Sequence, residues 1–399
     1  MAKLLTDKDL SPTWRVISSI LSRIQVGYLT IAHIDGRLEC FGEPGSKPSA
    51  FIQIYNNRVI RRFLFGGAVG LGESYMDGDW DSPDLPAVIE LGARNENLAL
   101  KKILTGHPLA RFGRWLGHFM HRNTRDGSKK NIASHYDLGN NFYRQWLDPG
   151  LTYSCAIFER PEEDLQSAQE HKYRHIADRA SLGPNDRLLE IGCGWGGFAE
   201  YAARERGSSV TALTISKAQY DYSVERIYKA GLNEKVQVRL QDYRDINQSF
   251  DKIVSIEMLE AVGEEYWEIY FTKIRDALVT GGRAAIQVIT AADHRFIPHN
   301  KDADFIQKYI FPGGKLPSSA ILKQITHECG LIWREAATFG EQYAHTLALW
   351  RQRFLAARPE ISTMGFDKRF MRMWDYYLAY CEGGFRGKSI NLLQISLTR

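Results

Sequence analysis

Four glycines lie close together directly after a short apolar run. Residues 192–197 read Gly-Cys-Gly-Trp-Gly-Gly, follow the predicted strand Arg187–Ile191 and precede a predicted helix that begins near Phe198. A glycine-rich turn between a strand and a helix lets a ligand approach the backbone closely. The pattern therefore predicts a ligand site at this turn, and a purely structural turn is the alternative interpretation.

The residues around this turn narrow the choice of ligand. Glu190 precedes the glycines in the E/D-x-G-x-G spacing of methyltransferases, and the Lys-Ser/Thr pair of a P-loop does not follow. The next predicted strand ends in 211–216, Thr-Ala-Leu-Thr-Ile-Ser, without the acidic residue that holds the ribose in nucleotide dehydrogenases. These features favour S-adenosylmethionine as the ligand.

The elements that must position this turn form a regular series. From about residue 180, short apolar runs alternate with helical stretches, which indicates a doubly wound, mostly parallel α/β sheet. The predicted strands are Arg187–Ile191, Ser209–Leu213, Val236–Leu240, Phe250–Ile256 and Arg283–Ile289, with Leu331–Ala336 and Ile390–Leu397 as further candidates.

The N-terminal third has a different pattern. Thr30–Cys40 and Phe51–Phe65 alternate apolar and polar residues as strands do, and the glycine-dense stretch Gly66–Gly72 predicts tight turns. We therefore predict an α+β accessory domain over 1–97, a basic amphipathic linker or helix over 98–130, and a catalytic domain over 131–399.

Composition limits the classes of function. The net charge of +4 is too small to indicate a nucleic-acid partner, and the positive excess lies in residues 1–130. The five scattered cysteines include no CxxC pair, which argues against a disulfide framework and against a structural metal site. The sequence contains no secretory signal and no apolar run long enough to span a bilayer, so we expect a cytoplasmic protein that meets lipid from the surface.

Residues 98–130 combine many cations with large apolar side chains. The cations are Lys101, Lys102, Arg111, Arg114, Arg122, Arg125, Lys129 and Lys130. Basic residues interleaved with aromatic ones fit an interfacial segment that meets anionic headgroups. An ordinary solvated helix and linker is the alternative interpretation.

Several segments together resemble the cyclopropane fatty acid synthases and the related mycolic acid cyclopropane synthases. They are His135–Asn140 (HYDLGN), Leu151–Ala156 (LTYSCA), Leu189–Gly197 (LEIGCGWGG), Thr214–Gln219 (TISKAQ), Ile256–Gly263 (IEMLEAVG) and Tyr309–Pro317 (YIFPGGKLP). The stretch Gly72–Gly78 also looks like the leader domain of longer members of this family. The resemblance implies a class I S-adenosylmethionine-dependent methyltransferase with a Rossmann-like, seven-stranded, mostly parallel sheet.

The family's cofactor contacts carry over by motif. The resemblance implies that Tyr153 and Ser154 face the methionine end and that Gly192 and Gly194 lie under the cofactor. It also implies that Thr214 and Gln219 reach the ribose. The adenine is expected to be surrounded by Asp242, Tyr243 and Ile256.

The resemblance also implies the reaction and the residues that run it. The expected reaction adds the methylene of S-adenosylmethionine across a double bond of a membrane phospholipid acyl chain, with bound bicarbonate as the base. The expected bicarbonate positions are Cys155, Glu260, Gln287, Ile289 (through its backbone) and Tyr343. A homodimer is expected on the same ground.

Gln287 departs from the family's pattern, which has a histidine at this position. Glutamine donates hydrogen bonds but does not titrate near neutral pH, so it suits anion binding and not proton transfer. The departure leaves a methyl-branched or methylene product, or a non-catalytic homologue, as alternatives to the cyclopropane ring.

The C-terminal third is rich in large aromatic side chains. They include Trp350, Phe354, Phe366, Phe370, Trp374, Tyr376, Tyr377, Tyr380 and Phe385. An acyl tunnel and plain helix packing are both open interpretations of this pattern.

Overall fold

The computed structural model describes residues 12–96, 127, 138–298 and 303–399. The predicted basic segment, apart from Gly127, and residues 135–137 of the first matching motif lie outside this range. The described residues form two compact units. The first contains residues 12–96, 303–310 and 354–389, and the second contains residue 127 and residues 138–298, 311–353 and 390–399. The domain boundaries proposed from the sequence stay predictions.

A small mixed sheet organises the first unit. Its strand order is β2-β1-β3-β4, with β1 and β3 parallel and the other pairs antiparallel. The strands are β1 (Tyr28–Ala32), β2 (Leu38–Gly42), β3 (Ser49–Ile54) and β4 (Trp80–Asp81). The helices of this unit include Pro12–Leu21, Arg58–Met76, Leu85–Arg94, Phe305–Tyr309, Arg358–Thr363 and Lys368–Arg386.

The prediction for residues 51–72 was partly wrong. The strand ends at Ile54, and the glycine-dense stretch lies inside the helix Arg58–Met76, which has one non-helical residue, Gly67. Gly70 and Gly72 serve close packing, and a Cβ atom on Gly70 would lie 2.1 Å from the Arg62 carbonyl oxygen. A Cβ atom on Gly72 would lie 2.6 Å from the ring of Phe305.

Residues 303–310 and 354–389 pack within the first unit although they lie late in the chain. The Tyr75 hydroxyl donates to Asp375 Oδ2 at 2.7 Å, and a Cβ atom on Gly383 would lie 2.5 Å from the Cβ atom of Ile89. The rings of Phe370 and Trp374 stack at 5.7 Å. Tyr376 and Tyr380 take part in helix packing through their ring contacts with Phe305.

The second unit is built on the predicted seven-stranded sheet. Its strand order is β10-β11-β9-β8-β5-β6-β7, and β11 is antiparallel to both neighbours. The strands are β5 (Arg187–Ile191), β6 (Ser209–Thr214), β7 (Val236–Leu240), β8 (Phe250–Ile256), β9 (Leu278–Ala291), β10 (Ile332–Thr338) and β11 (Ile390–Thr398). The predicted fold class and all seven predicted strands are confirmed.

Helices cover both faces of this sheet. They include Asn140–Arg144, Leu165–Arg179, Gly197–Glu205, Lys217–Lys229, Trp267–Ala277, Ser319–Glu328 and Gly340–Ala356. Leu188 packs in one apolar cluster while Leu189 and Ile191 pack in the other, as the alternation of side chains along a strand requires. Within the described residues, no helix is both long and apolar enough to cross a bilayer.

Candidate active site

The glycine turn after β5 has the geometry of a ligand cradle. Gly192, Gly194 and Gly196 have φ values of 83°, 53° and 80°, which favour glycine strongly. The Gly192 amide donates to the Leu213 carbonyl of β6 at 3.0 Å, which fixes the turn against the sheet. A Cβ atom on Gly194 would meet nothing within 4 Å, so its backbone faces open space.

The other predicted cofactor residues follow the neighbouring strands. Thr214 ends β6, and its buried hydroxyl donates to Gln219 Oε1 at 2.9 Å. Asp242 follows β7, where the Arg244 guanidinium donates to both of its carboxylate oxygens, and Tyr243 packs edge-on against Tyr270. Carboxyl ends of adjacent parallel strands share one edge of the sheet, the usual ligand edge in this architecture.

The loop before the helix Leu165–Arg179 carries Tyr153 and Ser154. Tyr153 lies among aromatic rings, 5.4 Å from the ring centroids of Trp146 and Trp350. Ser154 Oγ accepts a hydrogen bond from Lys172 Nζ at 2.7 Å. The Lys172 side chain is completely buried, and burial lowers its pKa to about 8, although nearby carboxylates oppose this shift. This loop and the glycine turn supply residues that fit S-adenosylmethionine.

A carboxylate that sequence reasoning did not select stands at the centre of the polar cluster. Glu257 follows β8, and its Oε1 accepts from the Cys155 amide at 2.9 Å and from Gln287 Nε2 at 2.7 Å. Its Oε2 accepts from the Tyr343 hydroxyl at 2.5 Å. Burial raises the pKa of Glu257, while these hydrogen bonds and the charge of Lys172 act in the opposite direction.

The orientation of Gln287 is set by a chain of hydrogen bonds from a cation. Arg179 Nε donates to Gln394 Oε1 at 3.1 Å, and Gln394 Nε2 donates to Gln287 Oε1 at 2.8 Å. Because a guanidinium can only donate, each amide must present its NH₂ group to the next residue. Gln287 must therefore present a donor to Glu257, and the Glu257 oxygen must be an acceptor.

Glu260 lies beside this cluster and has a different environment. Its Oε1 accepts from the Ile289 amide at 2.5 Å, while its buried Oε2 has no hydrogen-bond partner among the described residues. Burial, followed by the charge of Glu257, raises the pKa of Glu260 to about 8. We infer that at neutral pH Glu260 holds a proton more readily than Glu257, whose carboxylate three donors stabilise.

The structure brings all five predicted bicarbonate positions together but does not leave their donors open. Cys155, Gln287 and Tyr343 donate to Glu257, and the Ile289 amide donates to Glu260. The residues as arranged therefore do not fit an additional bicarbonate ion. Glu257 stood inside a matching motif, so its sequence position was available. Lys172 and Gln394 had no comparable local signal.

The fold is similar to that of a solved cyclopropane synthase. The crystal structure of mycolic acid cyclopropane synthase CmaA1 complexed with SAH and CTAB has a TM-score of 0.64 and 29% identity. The match covers 68% of this chain and 98% of that chain. Together the fold and the site define a class I S-adenosylmethionine-dependent methyltransferase.

The family follows from the sequence comparisons. The model of the mycolic acid cyclopropane synthetase family matches residues 123–395. Tuberculostearic acid methyltransferase UfaA1 of Mycobacterium tuberculosis is 37% identical over 93% of this chain and 88% of its own length. Cyclopropane-fatty-acyl-phospholipid synthase of Escherichia coli K12 is 38% identical over 89% of both chains. The chain belongs to the mycolic acid cyclopropane synthetase family, which confirms the resemblance described above.

Proposed function

We propose that this enzyme transfers the methyl group of S-adenosylmethionine to a double bond of an unsaturated phospholipid acyl chain and closes a cyclopropane ring. The observation that carries the proposal is the buried polar cluster around Glu257. The Glu257 carboxylate accepts a hydrogen bond from the Cys155 amide, and Cys155 directly follows Tyr153 and Ser154 in the chain. The printed name of the Escherichia coli relative supports the choice of acyl phospholipid as substrate.

The proposed chemistry explains why the site is aromatic on one side and polar on the other. An alkene is a weak nucleophile, so the reacting carbons must be aligned in a dry pocket. The rings of Tyr153, Trp146 and Trp350 supply an apolar wall at the predicted methionine end. S-adenosylmethionine, when bound, supplies an electrophilic methyl group. Ring closure then needs a base. The resemblance implies bicarbonate for this role, whereas in this structure the expected donors already bind Glu257 and Glu260.

A methyl-branched or methylene chain is the second candidate product. Gln287 replaces the histidine of the family's pattern, and one relative is named as a tuberculostearic acid methyltransferase. The same carbocation yields a methylene-branched chain if a hydride shift and loss of a proton from the added methyl group replace ring closure. A saturated methyl branch requires a further two-electron reduction by a hydride donor. A non-catalytic homologue is the third candidate, and any turnover would exclude it.

Labelled methyl transfer tests the function. The purified enzyme is incubated with methyl-labelled S-adenosylmethionine and vesicles of an unsaturated phospholipid, with vesicles of the saturated phospholipid as the matched control. We expect label only in the unsaturated lipid, and absence of transfer would refute the proposed function. Proton NMR then identifies the product, because ring methylene protons resonate far upfield. Mass alone cannot, since a cyclopropane and a methylene branch have equal mass.

We also propose that the enzyme works in the cytoplasm, bound peripherally to the membrane, as a homodimer. The cations of residues 98–130 support the membrane part of this proposal by their composition, and the homodimer rests on the family resemblance. Charge reversal at Lys101, Lys102, Arg111 and Arg114 should weaken binding to anionic vesicles in a flotation assay and leave cofactor binding intact. Unchanged vesicle binding would refute the membrane role of the segment, and sedimentation velocity tests the dimer.

A further inference from the structure

Three donors that the family resemblance assigns to an anion converge on one side chain. The Cys155 amide, Gln287 Nε2 and the Tyr343 hydroxyl lie 2.9, 2.7 and 2.5 Å from the Glu257 carboxylate oxygens. A bicarbonate ion held by the same groups would present an oxygen to each of them. The Glu257 carboxylate has the same charge and the same planar pair of oxygens, so it replaces that ion in kind.

The three donors are buried more deeply than Glu257, which already occupies them. Cys155 and Gln287 have no exposed surface, and Tyr343 is 7% exposed, whereas Glu257 keeps an intermediate exposure. A free anion could reach the donors only by displacing the carboxylate. Glu257 can itself act on a bound substrate, since a carboxylate has about four acceptor positions and the three donors leave one on Oε2.

The surroundings favour an ionised Glu257. The donor chain that starts at Arg179 requires an acceptor at its end, and Glu257 Oε1 fills that place. The buried cation of Lys172 lowers the pKa of Glu257 against the effect of burial. A buried carboxylate with a paired charge and several donors can stay ionised in a dry site.

The backbone at this position is also unusual. Glu257 has φ of 50°, in the left-handed region that favours glycine. A glutamate here carries strain that a glycine would avoid. Strained residues persist where surrounding contacts hold them, and they concentrate at functional sites.

We propose that Glu257 is the general base of this enzyme and takes the place of a free bicarbonate ion, a proposal that rests on the function proposed above. The alkene forms a bond to the methyl carbon as the sulfur–methyl bond breaks, which leaves a carbocation on the acyl chain. Glu257 Oε2 accepts a proton from the added methyl group, and the electron pair of that C–H bond closes the ring. The protonated carboxyl releases its proton to water when the products leave.

The first test uses the unmodified enzyme. Methyl transfer from labelled S-adenosylmethionine is measured in buffer stripped of carbon dioxide, with and without added bicarbonate. We expect equal rates in both. A rate that collapses without bicarbonate and recovers with it would overturn the proposal while leaving the proposed function standing. Failure of transfer in both buffers would instead refute the proposed function, on which this proposal depends.

The second test changes the side chain. Glu257→Gly suits the positive φ and removes the carboxylate, so in bicarbonate-free buffer the rate should fall on the order of 10²–10⁴-fold, the range for a lost acid–base group. Added bicarbonate should partly restore it, because the vacated space lies within reach of the same donors. Glu257→Gln fills that space without a base, so its loss should not be rescued. Full activity of Glu257→Gly without bicarbonate would overturn the proposal.

A binding measurement separates the base from a merely structural residue. Carbon-13 NMR of labelled bicarbonate is recorded with the SAH complex of each protein. We expect line broadening with Glu257→Gly and none with the wild type or Glu257→Gln. Broadening with the wild type that equals that of the glycine variant would overturn the proposal. SAH affinity of each variant, measured by calorimetry, confirms that the fold is retained.

Discussion

The amide chain from Arg179 to Glu257 predicts a specific pattern of stability. Replacing Gln394 by Leu leaves the fully buried Gln287 Oε1 without its 2.8 Å donor. A buried polar group left unpaired costs about 1–3 kcal/mol. Arg179 Nε is only partly buried, so water can replace the bond it loses. We therefore expect Gln394→Leu to lower the free energy of unfolding by about 1–3 kcal/mol.

Gln287→Leu should cost at least as much, because it also removes a donor from Glu257. Hydrogen bonds to charged groups contribute about 1.5–3 kcal/mol. The double variant should cost less than the sum of the singles, since two leucines leave no amide unpaired between β9 and β11. The expected coupling is about 0.5–3 kcal/mol, measured by urea unfolding at equilibrium. Gln324→Leu, at an exposed glutamine, is the control. If the costs of the two single variants sum to the cost of the double variant within about 0.5 kcal/mol, the proposed chain of hydrogen bonds is refuted.

Three further predictions concern the carboxylates and the glycine turn. The pKa of Glu260 is raised to about 8 by burial, so its contribution to stability is present below pH 4.5 and is lost as the pH rises through about 8. Glu260→Gln should therefore gain thermal stability relative to wild type as the pH rises over this range, and a constant difference would contradict the assignment. Lys172→Met should move the acidic limb of the rate–pH profile to higher pH, because the buried cation lowers the pKa of Glu257. The control Lys217→Met, at an exposed lysine, should leave that limb where it is in the wild type. An acidic limb at the same pH in the wild type and in Lys172→Met would contradict this prediction. Gly194→Ala and the control Gly231→Ala should each lose about 1–2 kcal/mol of stability to positive φ, but only Gly194→Ala should weaken SAH binding, by about tenfold or more in calorimetry. Equal SAH affinity in the two variants would contradict the placement of the cofactor at the turn.

The sheet was predictable because its signal is local. Short apolar runs with turn residues between them define β5 to β8 to within one residue. β9 was the exception, since it begins at Leu278 and not at Arg283. Gly281 and Gly282 inside it resemble a strand boundary, although here the strand continues through them where the register with β8 shifts.

The sequence predicted which residues meet at the site better than it predicted the hydrogen bonds between them. Motifs located Cys155, Gln287 and Tyr343, which the structure brings to one cluster. Which carboxylate they bind depends on side-chain direction after β8, and the sequence alone does not separate Glu257 from Glu260. The positive φ at Glu257 sets that direction, and no residue-type rule predicts it for glutamate. The sequence did not reveal the role of Gln394, because that role depends on the pairing of β11 with β9, which lies far away in the chain.

The first unit is built from three separate segments of the chain, and this limits where the chain can be truncated or recombined. A truncation after residue 96 would not yield a self-sufficient module, because Tyr75 would lose Asp375 and the surface around Ile89 would lose the helix that carries Gly383. Exchange of the N-terminal unit between relatives must therefore carry the segments 303–310 and 354–389 with it. A recombination breakpoint placed at the end of Leu85–Arg94 would separate residues that share one core, so chimeras made there should aggregate, while three-segment grafts should remain soluble.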